Sequence, residues 1–214
     1  IESDFTRYSG RLNLDFELND WLSGGIRQSV TSSEQNFPTQ MGNAFSNTIQ
    51  YIRTVSNLYP IYRRDENGGF IRDNDGNLIF DTGDNDQAVN GRRPVLSPSN
   101  VVAQTQLNES LSKRFFNTSN VFFQADLTKN ISLKTSYTLN KNVFDNFLFT
   151  NQQIGSARTV RGRISRTKNI ISEYTWTNSL NFNTTINQHS FDLLALQELY
   201  DFTGENLTGS STGL

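Results

Sequence analysis

The stretch NISLKTSYTLNKN, residues 130–142, alternates between apolar and polar side chains with a period of two residues. Side chains of a β-strand point alternately to opposite faces, so this pattern predicts a strand with one apolar and one polar face. In a soluble protein the apolar face meets a core. In an outer-membrane barrel it meets lipid, and the polar face lines the lumen. Five residues form the apolar side: Ile131, Leu133, Thr135, Tyr137 and Leu139.

Similar alternation recurs along the chain and predicts about six antiparallel strands, paired as three hairpins. Short turns close the hairpins at 19–20, 128–130 and 187–188, and long connections at 34–112 and 141–168 separate them. The predicted strands exceed the ~5–6 residues usual in globular proteins and suit the ~9–11 residues that cross a bilayer at a tilt. Short turns that alternate with long loops are typical of a transmembrane barrel, with the turns in the periplasm and the loops outside the cell. The pattern therefore favours lipid over a core.

The first long connection, 34–112, is rich in Asn, Gln, Ser, Asp and Gly and holds all four prolines. Two turn signals within it, ENGG and DNDGN, stand between short apolar pieces, so a small hairpin is predicted there. Residues after about 202 are rich in Gly, Ser and Thr and are predicted to be irregular.

The composition suits a thin wall better than a packed core. Hydrophobic residues make up 35 % of the 214 residues, below the usual share for a globular protein. The net charge of −2 gives no general argument for binding nucleic acid. The chain has no cysteine, which excludes disulfides, thiol catalysis and cysteine-based zinc sites. It has no run of 18 or more apolar residues that would predict a transmembrane helix.

No catalytic, cofactor-binding or metal-binding residue is predicted, and the chain is not expected to be an enzyme. The single histidine, His189, follows a tight turn and has no partner at ligand spacing, so a structural role is preferred. The DNDGN segment, residues 73–77, fails the EF-hand pattern and is predicted to form a type I′ turn. Glu198 and Asp201 suggest a glycosidase pair, but no spacing argument selects them among 21 acidic residues.

Two groups of side chains are expected to meet the membrane. The residues predicted to face lipid are Leu12, Leu14, Phe16, Leu133, Tyr137, Leu139, Leu180 and Phe182. An aromatic girdle at the lipid interface is predicted from Tyr8, Tyr174 and Trp176. For the last two of these, a sugar-stacking platform is the alternative.

The run SARTVRGRISRTK carries five cations and no acid. A solvated loop is the simpler interpretation. The sharper hypothesis is that Arg161, Arg163 and Arg166 contact lipopolysaccharide phosphates at the outer leaflet, since guanidinium forks match phosphate oxygens.

The chain resembles the SusC/RagA family of TonB-dependent outer-membrane transporters in three segments that occur in the family's order. The family's strand–turn–strand is similar to FTRYSGRLNLDFELNDWLSGGI, and its extracellular P-x-Y-D-x-x-G insertion is similar to YPIYRRDENGGFI. Its W-x-N-x-L-x-Y … H-x-F-x-x-L-x-G-x-E hairpin is similar to TWTNSLNFNTTINQHSFDLLALQE, with Gln197 where the family often has Gly. The resemblance covers most of the chain.

This resemblance implies a barrel of about 22 strands that encloses a plug domain and is capped by a SusD-like surface lipoprotein. It also implies TonB-driven import of oligosaccharides or peptides across the outer membrane of a Gram-negative, Bacteroidota-type bacterium. No plug or TonB-contacting segment is recognised, so residues 1–214 are expected to be part of the barrel domain of a longer polypeptide, because a membrane does not tolerate open sheet edges. The alternative is a secreted glycan-binding β-sandwich or solenoid, which the unequal connections disfavour.

Overall fold

The computed structural model describes residues 3–37, 47–84 and 91–214, and six long strands dominate it. The strands are β1 (Asp4–Asn19), β2 (Leu22–Asn36), β3 (Glu109–Asp126), β4 (Ile131–Thr150), β5 (Arg163–Ile186) and β6 (His189–Thr212). They form one antiparallel sheet in chain order, and each strand pairs with the next. The predicted all-β fold with three hairpins is confirmed.

The three hairpin turns are short, as the sequence predicts. Asp20 and Trp21 join β1 to β2, and the Asn19 side-chain oxygen accepts a 3.1 Å hydrogen bond from the Trp21 N–H. Residues 127–130 join β3 to β4. Asn187 turns the chain between β5 and β6 with a φ of 57°, a left-handed conformation that asparagine tolerates better than most residues.

The strands extend further toward the long connections than the sequence predicts. β4 continues to Thr150 and β5 begins at Arg163, so the prediction of a loop over 141–168 is wrong at both ends. The irregular end predicted after about 202 is also wrong, since β6 runs to Thr212. Strand pairing uses backbone groups, which pair whatever the side chains are. Asp145 is thus in register with Lys168, although the apolar alternation has stopped.

The sheet buries no apolar core of its own. The accessible surface is 14509 Å², against about 10,000 Å² expected for a compact protein of 24.3 kDa. In the described part of the chain, the buried apolar side chains all lie in the long connections: Val55, Val101, Ala103, Ile154 and Ala157. The six strands therefore form a single layer whose apolar side chains need a different environment from water.

The two long connections pack together at one end of the sheet. We call this unit the loop subdomain and define it as residues 47–84, 91–108 and 151–162. It contains α1 (Thr48–Thr54), α2 (Val101–Leu107) and a 3-10 helix (Gly155–Val160). The Gly155 N–H donates to the Pro98 carbonyl at 2.9 Å and so joins one connection to the other. Pro38, one of the four prolines of the first connection, lies outside the described residues.

Asparagine begins both helices. The Asn47 side-chain oxygen accepts from the Gln50 N–H at 3.0 Å, and Asn100 caps α2 in the same way. Each cap satisfies an N–H that the first helical turn leaves without a partner. The Asn100 side-chain amide also donates to the carbonyls of Ile61 and Asp81, at 2.8 and 2.9 Å. One amide therefore holds α2 against the middle of the first connection.

The predicted small hairpin is a closed ring of three short strand pieces. Arg63, Ile71 and Ile79 each donate a backbone N–H to the carbonyl of another: Ile71 to Arg63 at 3.0 Å, Ile79 to Ile71 at 3.3 Å, and Arg63 to Ile79 at 2.8 Å. Three bridges surround them, Tyr62↔Phe80, Arg64↔Phe70 and Arg72↔Leu78. The sequence encodes the ring as a repeat, RDENGGFI at 64–71 and RDNDGNLI at 72–79.

Each repeat forms the same turn. The Asp73 Oδ1 atom accepts a hydrogen bond from the Asn77 N–H at 2.8 Å. This bond is the largest of several interactions that hold the pKa of Asp73 below its usual range. Within this turn Gly76 alone has a positive φ, 84°, the value that Gly68 has in the turn after Asp65. A type I′ turn needs positive φ at two consecutive residues, so that prediction is wrong. The geometry is a type I turn followed by a left-handed glycine.

β2 passes close to β3 at Gly24. A Cβ atom at Gly24 would lie 2.8 Å from the Phe122 carbonyl oxygen and 2.9 Å from the Phe16 ring, whereas one at Gly10 would meet nothing within 4 Å. We expect Gly24→Val to destabilise the folded protein by about 1–3 kcal/mol, because backbone has to move to admit the side chain. Gly10→Val is the control and should change stability by less than about 0.5 kcal/mol. Urea midpoints of protein folded in detergent measure both, and equal midpoints would contradict the close packing.

Candidate membrane and lumen surfaces

The register assigns each strand residue to one of two faces, because directly opposed residues share a face. One row crosses all six strands and is apolar throughout: Leu14, Ile26, Val121, Tyr137, Trp176 and Leu199. The adjacent row points to the other side and is mostly polar: Asn13, Arg27, Asn120, Thr138, Thr175 and Tyr200. We call the side of the first row the apolar face and the side of the second the polar face.

Every residue predicted to face lipid lies on the apolar face. Leu133, for example, is directly opposite Ala125 on one neighbouring strand and Leu180 on the other. These side chains are open to their surroundings, since Leu12 is 58 % exposed and Leu180 is 42 % exposed. The alternation in separate strands therefore yields one continuous apolar surface. Contact of these residues with lipid stays a prediction.

The apolar surface forms a band that crosses the strands obliquely. It occupies 8–18 on β1, centred near Asn13, and 191–199 on β6, centred near Ala195. The row through Asn13 meets β6 at Tyr200, five residues beyond Ala195. Five residues span about 17 Å along a strand and five strand spacings span about 24 Å, so the band is inclined by roughly 35° to the rows. Strands of outer-membrane barrels tilt by ~35–45°.

The residues of the predicted aromatic girdle also lie on the apolar face. Trp176 pairs with Tyr137 in the middle of the sheet. The row through Tyr8 meets β5 at Ile170, four residues beyond Tyr174. Over the four strand spacings from β1 to β5, an inclination of roughly 35° shifts the band by about 13 Å along the strand direction. This shift is the length of four residues. Tyr8 and Tyr174 thus lie at the same level of the inclined band, and their place at a lipid interface stays a prediction.

On the polar face, two cations flank the ring of Phe122. The Arg27 guanidinium carbon lies 5.2 Å and the Lys134 Nζ atom 4.7 Å from the ring centroid. Arg27 also forms an ion pair with Asp15. Gly25, directly opposite Phe122, leaves room for the ring, since a Cβ there would lie 2.7 Å from it. The charge of Lys134 is therefore kept on the polar face of β4.

β6 departs from the division into faces. Its polar-face residues include four large apolar or aromatic side chains that are 53–68 % exposed: Leu194, Leu196, Tyr200 and Phe202. They are absent from the residues predicted to face lipid, because a strand that is apolar on both faces gives no period of two. The available signal is the unbroken apolar run LLAL at 193–196. The polar face of β6 needs an apolar neighbour that β1 to β5 do not require.

Toward the loop subdomain, the apolar face carries charges of alternating sign. Glu34, Lys113, Asp145 and Lys168 are directly opposite one another on β2 to β5. Glu34 and Lys113 form an ion pair at 3.0 Å. Arg166 donates two hydrogen bonds to the Asp145 carboxylate, a bidentate fork: its Nε atom lies 2.8 Å from Oδ1 and its Nη2 atom 2.7 Å from Oδ2. We call these five residues the charged row.

The arginine run of the sequence analysis divides between several surfaces. Arg166 lies on the apolar face, and Arg163, three residues away on β5, lies on the polar face. Arg161 precedes the strand in a left-handed conformation, with a φ of 57°. Arg158 pairs with Asp84 of the loop subdomain. The fold does not gather Arg161, Arg163 and Arg166 on one surface, and their contact with lipopolysaccharide stays a prediction.

A buried ion pair lies at the centre of the loop subdomain. The side chains of Arg93 and Asp81 are 1 % and 3 % exposed, and their Nη2 and Oδ1 atoms are 3.8 Å apart. Arg93 also donates to the Ser99 carbonyl at 2.6 Å, and its guanidinium carbon lies 5.6 Å from the centroid of the Tyr51 ring. Burial raises the pKa of both the Tyr51 phenol and the Asp81 carboxyl, and the nearby Arg93 opposes the rise.

A second ion pair, between Arg158 and Asp84, joins the two long connections nearer the surface. Partial burial acts to raise the pKa of Asp84. Hydrogen bonds from Thr82 and Arg158 outweigh it and hold that pKa below the usual range. This pair stays charged over a wider range of pH than an isolated carboxyl would.

A cavity of about 800 Å³ opens between α1, α2 and residues 57–61. Its walls include the side chains of Tyr51, Ile52 and Val101. Ligand pockets commonly measure ~300–1,000 Å³ and are largely apolar. Among the described residues that line it there is no Asp, Glu, Lys, Arg or His, so this cavity offers binding surface without acid–base chemistry.

The remaining candidates of the sequence analysis are dispersed. His189 begins β6 opposite Ile186 and is exposed. Glu198 and Asp201 point to opposite faces of β6, so they cannot act on one glycosidic bond. Within residues 3–37, 47–84 and 91–214, no three His, Asp or Glu side chains are grouped as metal ligands. None of the helices that the structure describes is long and apolar enough to cross a membrane.

Solved structures of a peptide transporter, RagAB, share this arrangement of strands. The chain aligns over 99 % of its length with a chain of the RagAB peptide transporter, with a TM-score of 0.66 and 18 % identity. This chain has the fold of a RagAB segment. The RagAB importer gives a TM-score of 0.69 at 19 % identity in its 'open-open' state and 0.64 at 17 % in its 'closed-closed' state. No family model and no curated protein matches the sequence.

The predicted resemblance to the SusC/RagA family is therefore confirmed at the level of fold. This chain spans 22 % of the length of the RagAB chains that it matches. The six-stranded sheet and the loop subdomain thus correspond to part of a larger molecule in RagAB.

Proposed function

We propose that this chain is part of an outer-membrane, TonB-dependent importer of large nutrients. The observation that supports this best is the apolar band, which crosses all six strands at the inclination expected of membrane-spanning strands. Six strands are about a quarter of a wall of about 22 strands. Further strands of a longer polypeptide would pair with the outer edges of β1 and β6, because a membrane does not tolerate unpaired backbone groups.

In this placement the apolar face meets lipid and the polar face lines the lumen. The short turns at 20–21, 127–130 and 187–188 face the periplasm, and the loop subdomain lies outside the cell, as connections of unequal length do in bacterial barrels. Energy from TonB would arrive through a plug region that belongs to the rest of the polypeptide. The location is the outer membrane of a Bacteroidota-type bacterium. No catalytic role is proposed.

An epitope inserted next to Gly76 tests this orientation. Gly76 lies at an exposed turn of the loop subdomain, where an insertion disturbs few contacts. We expect an antibody to label the epitope on intact cells. A matched epitope at Lys129, in the turn between β3 and β4, should be labelled only after the outer membrane is permeabilised. The reverse result would invert the orientation.

The cargo and partner are proposed from the RagAB likeness. RagAB is a peptide importer, which favours peptides over oligosaccharides for this chain, although both belong to the proposed class of large nutrients. A SusD-like surface lipoprotein would cover the loop subdomain and deliver the nutrient to it. The apolar cavity between α1 and α2 offers a contact surface on that side.

Uptake assays test the transport proposal. Cells that lack the full-length protein should lose uptake of labelled peptide mixtures or of labelled oligosaccharides, and the lost class identifies the cargo. Cells that lack TonB should show the same loss, because active import depends on it. A deletion strain that takes up both classes at the normal rate would overturn the proposal.

A secreted glycan-binding β-sandwich or solenoid is the alternative function. A sandwich needs a second sheet packed on the first, and the described residues form one sheet with both faces open. Extraction separates the two proposals. The importer should require detergent, and a secreted module should dissolve in salt buffer.

A further inference from the structure

The charged row lies next to a row that is apolar on three strands. Phe115, Val143 and Ile170 are opposite one another on β3, β4 and β5, and all three lie on the apolar face. Lys113, Asp145 and Lys168 lie two residues farther along the same strands, which is about 7 Å. If the apolar band is placed in the hydrocarbon, as the proposed function requires, the charged row lies beyond it on the side of the loop subdomain, where the polar part of an outer-leaflet lipid lies, since Lys168 is six residues farther along β5 in that direction than Tyr174.

Asp145 holds Arg166 in a fixed orientation. The fork from Arg166 uses the Nε atom and one Nη2 hydrogen, so the Nη1 side of the guanidinium remains for another acceptor. The Arg166 side chain is 65 % exposed and that of Asp145 is 16 % exposed, so the guanidinium projects from the sheet while its carboxylate partner stays beneath it. A guanidinium oriented in this way suits a tetrahedral oxyanion such as phosphate.

The charged row has an excess of positive charge. Lys113, Arg166 and Lys168 face Glu34 and Asp145, which leaves one cation uncompensated. Both oxygens of Asp145 accept from Arg166. Glu205 on β6, opposite Ile170, lies diagonal to the exposed Lys168 and offsets its charge. Lys141, four residues below Asp145 on the same face of β4, adds another cation. An anion at this position would complete the balance.

We propose that Arg166 and Lys168 bind a phosphate group of outer-leaflet lipid. The proposal rests on the proposed membrane placement, because the apolar face is then accessible to lipid and closed to proteins and solutes of the lumen. Lys113 supports the site through its charge. This assignment differs from the three-arginine hypothesis of the sequence analysis, since it adds Lys168 and leaves Arg163 on the opposite face of the sheet.

Binding of lipid A to the full-length protein in detergent micelles tests the proposal, with native mass spectrometry as the readout. We expect the double variant Arg166→Gln, Lys168→Gln to bind lipid A about tenfold more weakly, since charge-assisted hydrogen bonds are lost. Lys168→Gln alone keeps the fork between Arg166 and Asp145 and should weaken binding in part. Arg163→Gln is the matched control, on the same strand and the opposite face, and should bind as the unchanged protein does.

Dephosphorylated lipid A and inorganic phosphate identify the source of the anion. Dephosphorylated lipid A should bind all variants equally, and inorganic phosphate alone should bind none detectably. Equal binding of lipid A by the unchanged protein and the double variant would overturn the proposal, as would equal loss in Arg163→Gln. Tight binding of inorganic phosphate would overturn the assignment to lipid. Absence of the unchanged protein from the outer-membrane fraction would instead overturn the proposed function.

Discussion

Leu133→Arg should destabilise the folded barrel by about 2–4 kcal/mol if Leu133 lies near the middle of the bilayer. The side chain is 41 % exposed on the apolar face, between Ala125 and Leu180 on the neighbouring strands. A guanidinium at this position would either lose its hydration in the hydrocarbon or have to bend toward the interface to stay in contact with water. Ser136→Arg, three residues along the same strand, places the same group on the polar face and should leave the barrel folded.

Heat-modifiability on gels measures both variants in the full-length protein, because a folded barrel migrates differently before and after boiling. The two substitutions introduce the same side chain into one strand, so a difference between them reports the face and not the residue. Failure of Ser136→Arg to assemble, with normal assembly of Leu133→Arg, would invert the two faces.

Arg93→Ala should cost the loop subdomain about 3–5 kcal/mol, because it leaves a buried carboxylate without its cation. Asp81 is almost fully buried and faces Arg93, which also donates to the Ser99 carbonyl. Arg158→Ala is the matched control. It breaks the partly exposed pair with Asp84 and should cost about 1 kcal/mol or less.

Hydrogen exchange at the amides of α2 in the full-length protein compares the loss of stability in Arg93→Ala with that in Arg158→Ala. Asn100 ties α2 to the Asp81 carbonyl, so loss of order around Asp81 should reach this helix. We expect much faster exchange in Arg93→Ala than in Arg158→Ala, with the strands unaffected in both. Equal exchange in the two variants would show that burial of the Arg93 pair contributes little.

Alternation alone predicts the strands where one face is apolar and the other polar. Leu133 and Lys134 differ enough in transfer free energy that a shift of one residue would expose the wrong side chain, so period two fixes the face. The same signal fails at Asp145 and Lys168, where backbone pairing continues although charged side chains interrupt the apolar ones. It fails again at Leu194 and Leu196, where both faces are apolar.

The candidate surfaces depend on neighbours that sequence spacing does not reveal. Arg163 and Arg166 belong to one run of cations, yet strand geometry sends them to opposite faces. Asp145 orients Arg166 from a different strand, 21 residues earlier in the chain. The charged row appears only when β2 to β5 are placed in register, because its members come from four separate segments.

The long pairing of β4 with β5 has a consequence for the entrance of the proposed passage. Beyond Val143, β4 continues for seven residues to Thr150, which at a tilt of roughly 35° carries the wall about 20 Å farther from the membrane centre than Val143. Continuous backbone hydrogen bonds hold this rim, so its diameter is set by the number of strands and not by loop motion. In the proposed transporter, opening and closing of the entrance would then have to come from parts of the molecule other than this rim.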